Sequence, residues 1–281
     1  AECIKYLSYY TEYYKQKNYD SALPNWRKAY ALCPPTSRYT LLSDGTTLLR
    51  REISKVTTSP EHKEALIDSL MTVYKQRVEL WPKYRTSSLN NMALDMYNYM
   101  KNDSEAIYKG LGEVIAQNGP ATKPNIFVFH FNAACNLYQQ GVISDEQVMA
   151  DYETDADILA KCPTKNEIEA KLVAKSLSDL EKLFVETGVA SCDKLLATYT
   201  PKYEANPDDL DLAKSIARML GKAEDCNNND LYLNAVNTIY KHDPSYTSAY
   251  YLFRLYSAKG DIDNAIKYME EAIKLLKGIK A

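Results

Sequence analysis

The chain has 281 residues, 46% hydrophobic and 25% charged, with a mean hydropathy of −0.43, which excludes extended disorder and leaves enough chain to bury a sizeable core. A formal net charge of −3 and a pI near 5.8, with lysines and arginines scattered along the chain, give no electrostatic footprint for a phosphate backbone, so nucleic acid is not expected as a partner. The longest nearly unbroken apolar stretch, IFVFHF at 126–131, falls far short of the roughly 18–20 residues a spanning helix needs, so the chain is not expected to cross a membrane.

Nine glycines, 24 tyrosines and the lack of alternating Val, Ile and Thr runs predict an all-α protein. The sequence begins AEC, with neither a basic n-region nor an apolar h-region, so a signal peptide is expected to have been removed or never to have existed. In NYDSALPNWRKAYALCPP (18–35), Ala22, Trp26 and Ala29 are spaced four and three apart, which puts small residues on either side of a large one on a single helical face. Pro34 ends that helix, while Pro24 is expected in its first turn, where a missing N–H costs nothing. Insertions rich in helix-punctuating residues follow at 54–64, 116–124 and 224–230. SLNNMALDMYNYMKNDSEAIYKGLGEVI (88–115) repeats the layout, with Leu94, Tyr97 and Ala106 in register. DYETDADILAKC (151–162) lacks the glycine and the twelfth-position Glu of a calcium loop and reads as an acidic helix face. NPDDLDLAK (206–214) reads as a helix start with carboxylates in the first turn. The last segment, SYTSAYYLFRLYSAKG followed by DNAIKYMEEAIKLL, restores the spacing through Ala265, Met269 and Ala272.

These residues resemble the tetratricopeptide repeat, whose second helix carries Ala, an aromatic four residues on, a further small residue and a closing proline. Trp26 and Met269 stand where Phe is usual. Leu252 and Phe253 fill the usual Leu-Gly pair, without its glycine, and Tyr256 fills the tyrosine position. The resemblance implies a right-handed superhelical solenoid of about seven antiparallel helical hairpins, some fourteen helices, in one domain spanning 1–281. Approximate repeats are 1–34, 35–82, 83–123, 124–163, 164–207, 208–244 and 245–281. Closing prolines at Pro34, Pro82, Pro124, Pro163, Pro207 and Pro244 are spaced more widely than the usual ~34, so longer helices or loops are expected. A general helical bundle with coincidental alanine spacing is the competing reading. The tyrosine- and asparagine-rich opening is also similar to exported repeat proteins of Bacteroidetes-type bacteria.

Six cysteines allow 15 pairings. In antiparallel hairpins, Cys3 at the start of one helix and Cys33 at the end of the next lie at the same end of the unit. Cys192 and Cys226 fall at one edge of adjacent repeats. Bridges at both places would each contribute on the order of 3–4 kcal/mol and imply an exported, periplasmic or outer-membrane-associated protein. Buried reduced thiols in a cytoplasmic protein are the alternative, and Cys135 with Cys162 is a less natural pair. No Cys-x-x-Cys with a nearby histidine suggests a metal, and none is expected.

The three histidines, His62, His130 and His242, lack a nucleophile or carboxylate at motif spacing, and no phosphate loop or nucleophile elbow occurs, so no catalytic residue, enzyme activity or cofactor is expected. His130 reads as a core or groove histidine. In the family resembled, first helices line a concave surface that binds extended or helical peptides. Carrying that register over, anchored on Ala22, Ala106 and Ala265, gives groove positions Thr11 and Tyr14, then Asn91, Asp95 and Asn98, then Tyr250 and Arg254. The expectation is a non-enzymatic scaffold of the bacterial envelope with a protein or peptide partner. A helical binder of a glycan or small molecule, using tyrosines to stack on sugar rings, is the alternative.

Overall fold

The computed structural model describes residues 2–55, 57–223 and 225–279, and all regular structure among them is helical. Fourteen α-helices run in order: α1 (Glu2–Lys15), α2 (Tyr19–Leu32), α3 (Tyr39–Ile53), α4 (Pro60–Leu80), α5 (Arg85–Met100), α6 (Ser104–Asn118), α7 (Pro124–Gln139), α8 (Asp145–Ala160), α9 (Glu167–Glu186), α10 (Cys192–Ala205), α11 (Leu210–Lys222), α12 (Asp230–His242), α13 (Tyr246–Lys259) and α14 (Ile262–Ile279). Short 3₁₀ turns occupy Pro82–Tyr84 and Gly119–Ala121. Among the described residues, no helix is long and apolar enough to cross a membrane.

The helices begin where side chains replace the donors' missing partners. Asn18, Ser59, Asp103, Asp209 and Asn229 each accept a hydrogen bond from the backbone N–H three residues on, and Ser245 and Ser248 cap each other reciprocally. α2 ends at Cys33, held extended by the following Pro34. α13 ends at Gly260, whose φ of +75° suits glycine alone without strain. Pro24 departs from expectation. α2 starts at Tyr19, so the proline lies in its second turn and leaves the Asp20 carbonyl without an intrahelical donor. Asp20 is exposed, and water can take that place.

The chain divides into two compact units, one comprising residues 1–137 and 155–177, the other 138–154 and 178–281. In the first, consecutive helices from α1 through α6 pack on one another; in the second, consecutive helices from α10 through α14 do the same. Ala22 and Ala29 are fully buried on either side of Trp26, whose indole N–H donates to the Leu41 carbonyl of α3 at 2.7 Å. The Trp26 ring lies directly on Gly45, where an added Cβ would come within 2.2 Å of it. The large residue in the repeated pattern therefore locks α2 to the helix that follows.

Elsewhere the pattern shifts by one residue. Ala265 and Ala272 are buried, but Met269 is half-buried and Tyr268 turns inward instead, stacked on Tyr256 with centroids 5.5 Å apart. In α6, Ala106 is half-buried and Ile107, Leu111 and Val114 form the core face. α8 is not a plain solvated acidic face either: Asp155 is buried, and Glu153 is half-buried against the Tyr199 hydroxyl.

Two disulfides are present, each with Cα atoms 5.1 Å apart. Cys3–Cys33 closes the α1–α2 hairpin, and Cys192–Cys226 ties the start of α10 to the segment between α11 and α12. Cys135 is buried and Cys162 half-buried.

Candidate functional site

α1, α3 and α5 of the first unit each carry half-buried polar side chains. On α3, Leu41, Leu42, Leu48 and Leu49 fill the core, while Ser43, Asp44, Thr47 and Arg50 recur every three or four residues along a half-buried stripe. α1 supplies Thr11 and Tyr14, both half-buried. The Thr11 hydroxyl donates to the Leu7 carbonyl at 2.6 Å and accepts from the Arg38 guanidinium at 3.4 Å. Tyr14 packs edge-on against Tyr19 at 5.3 Å, and its hydroxyl interacts with Thr47 across the α1–α3 boundary. Tyr10 is fully buried, with its hydroxyl near Thr11 and Thr40 but outside hydrogen-bond geometry. Burial raises the Asp44 carboxyl to about 6, opposed by Arg38 and by the Ser43 hydroxyl.

On α5 the three sequence-expected positions separate. Asn98 is exposed and Asn91 half-buried, so both face outward, but Asp95 is only 4% exposed. Its carboxylate accepts from the Tyr74 hydroxyl of α4 at 2.6 Å and pairs with Arg50 at 3.7 Å. Beside it, Arg77 lies 5.3 Å from the ring centroids of both Tyr39 and Tyr74 and donates to Thr46 and Tyr39. Burial raises the Asp95 pKa against the pull of Tyr74 and the two arginines, and burial followed by the Asp95 charge pushes the Tyr74 hydroxyl well above the ordinary tyrosine range. Asp95 is therefore a buried brace between α3, α4 and α5, not a residue free to meet a peptide. Tyr14, Thr47, Arg50 and Asp95 form a connected set, and Thr11 is tied to the Leu7 carbonyl and Arg38 beside it. Asp44, Thr47 and Arg50 escaped the sequence reading, although TLLSDGTTLLRRE carries the period that marks their stripe.

In the second unit, Tyr250 is 37% exposed and lies between Tyr246 and Phe253, with centroids 5.9 and 6.0 Å away, forming an aromatic row along α13. Arg254 is exposed next to it.

The histidines are dispersed. His130 is buried, with Nδ1 2.7 Å from the Asp155 carboxylate and its ring stacked on Tyr108. His242 lies 3.1 Å from Asp208, and His62 is exposed at the start of α4. No group of three metal-ligating side chains occurs among the described residues. A cavity of about 670 Å³ opens between the 120–125 segment, the end of α8 and one side of α9. The loop that forms its first wall is pinned by buried Asn90, which donates to the Ala121 carbonyl at 3.0 Å and accepts from the Lys123 N–H at 2.9 Å. No protein-family model matches the chain, and no curated protein is found to be similar to it.

Proposed function

We propose that the chain is a non-enzymatic, tetratricopeptide-like scaffold of an exported, envelope-associated protein, holding an extended or helical peptide against the α1–α3–α5 face of its first unit. The observation that carries this reading is the half-buried polar stripe on α3, which Tyr14 of α1 meets at Thr47 and Asp95 of α5 meets at Arg50, with Asn91 half-buried and Asn98 exposed on α5. Such side chains offer donors and acceptors to a peptide backbone while apolar residues beneath fix their positions. Export is supported by the two disulfides, which persist in oxidising compartments. The aromatic row on α13 offers the second unit a contact surface of the kind that anchors interfaces.

The test is selection from a random peptide library on the purified chain, then titration of an enriched peptide against Thr47→Val, Asn91→Ala and Asn98→Ala variants. Each variant is expected to weaken binding by about 2- to 12-fold, the loss of one net hydrogen bond. Binding that none of the three variants alters would refute this face as the site, as would cross-links mapping elsewhere. The second reading, a binder of small molecules, is favoured by the 670 Å³ cavity, which lies within the ordinary size range for ligand pockets.

A further inference from the structure

The cavity beside α9 differs in chemistry from the α1–α3–α5 face. Its walls are mostly apolar: Pro120, Pro124, Pro163, Leu172 and Val173. Set into them is Thr122, only 2% exposed, whose hydroxyl has no hydrogen-bond partner among the described residues. A buried orphan hydroxyl costs roughly 1–3 kcal/mol, a cost removed when a ligand supplies the missing acceptor.

The charges on the lining are unequal. Glu169 is engaged at the start of α9, where its carboxylate accepts from the Lys165 backbone N–H at 2.7 Å while its own N–H donates to Asn166 at 2.9 Å. Lys123 and Lys165 also line the cavity, and neither ammonium has an ion-pair partner among the described residues. The site therefore offers an apolar body, an unused hydroxyl donor and two uncommitted positive charges against one committed carboxylate. We propose that it binds a small amphipathic monocarboxylate. The aliphatic or aromatic body would lie against the prolines, Leu172 and Val173, and the carboxylate would accept from Thr122 and pair with Lys123 or Lys165. This site is independent of the peptide-binding reading, and either can fail without the other.

Cys162 supplies a direct readout, because its half-buried thiol lines the same cavity. The full chain is treated with iodoacetamide under native conditions, and Cys162 modification is followed by peptide mapping in the presence of dodecanoate below its micellar concentration, or of dodecylamine as the cationic control. Dodecanoate is expected to slow modification in a saturable manner, and dodecylamine is not. Thr122→Val and Lys123→Gln/Lys165→Gln variants are each expected to raise the half-protecting concentration by about 2- to 12-fold, the equivalent of one lost polar contact. The surface lysine pair provides this test even if the buried Thr122→Val change impairs folding. Equal protection by dodecylamine would overturn the proposal, as would protection unchanged in the lysine variant or none at any concentration.

Discussion

A single methyl group added at Gly45 should destabilise the first unit, although the same change stabilises most helix interiors. Alanine is favoured over glycine by about 1 kcal/mol at a helical position, so propensity alone predicts a gain. At Gly45 the new Cβ would come within 2.2 Å of Trp26 Cζ2 and 2.8 Å of its ring nitrogen. The indole cannot simply yield: its N–H is held by the Leu41 carbonyl at 2.7 Å, and its ring stacks on Tyr30 at 5.0 Å. Overpacking typically costs about 1–3 kcal/mol, and displacing the ring far enough to break its bond leaves a buried donor costing about 1–3 kcal/mol more. The net expectation for Gly45→Ala is a loss of about 1–5 kcal/mol once the propensity gain is subtracted. Both tryptophans lie in the first unit, so tryptophan fluorescence in a urea titration reports that unit selectively. Trp26→Phe/Gly45→Ala should recover part of the loss, because the smaller ring makes room. An unchanged or raised urea midpoint for Gly45→Ala would refute the ring-on-backbone packing that joins α2 to α3.

The Asp44 carboxyl, raised to about 6 by burial, makes stability depend on pH. Relative to an unfolded value near 3.9, the folded state holds its proton more tightly, so the favourable contribution is complete below about pH 4 and disappears as pH rises through 6. Asp44→Asn should match the wild type near pH 4 and exceed it by about 1–2 kcal/mol at pH 7.5, a figure reduced for partial solvent screening; equal urea midpoints at both pH values would refute the desolvation argument. The Cys3→Ser/Cys33→Ser variant should lose on the order of 3–4 kcal/mol in the first unit and become insensitive there to added reductant. Mass spectrometry of the denatured, unreduced wild type should find alkylation at Cys162 and none at Cys3, Cys33, Cys192 or Cys226; alkylation at any of these four would contradict the pairing.

Local regularities were readable in the sequence, and contacts between distant segments were not. The four-then-three spacing of Ala22, Trp26 and Ala29 identifies a buried face because helical periodicity depends only on neighbours along the chain. That Trp26 needs a glycine at position 45 depends on how two helices cross, which no local pattern encodes. Cys3 and Cys33 could be matched from sequence because an antiparallel hairpin brings its outer ends together whatever the rest of the fold does. The reading of Asp95 failed for an angular reason. At about 100° per residue, Asp95 lies about 40° from Asn91 toward the buried Met92 and about 60° from Asn98, on the border between the outward stripe and the packed one. A border position is settled by its neighbours, and here Tyr74, Arg50 and Arg77 draw the carboxylate inward. Thr122 gave no sequence signal, since an orphan hydroxyl is defined by what fails to meet it.

The buried polar cluster also bears on the outward face that it supports. Replacing a buried ionic group by apolar residues of similar volume is often neutral or stabilising, so the Arg50–Asp95 pair and its Tyr74 contact are not explained by stability alone. What they provide is position: Arg50 is held from below by Asp95 and along its own helix by the Thr46 carbonyl at 3.2 Å, so its guanidinium does not sample the rotamers of a free surface arginine. Thr47 is fixed between Arg50 and Tyr14, and Thr11 between Arg38 and the Leu7 carbonyl. A surface whose hydrogen-bonding groups are already ordered loses less entropy when a partner arrives, which increases affinity without requiring additional contacts. The inward turn of Asp95 removes one residue from the expected contact surface and, through Arg50, helps to hold the remainder in place.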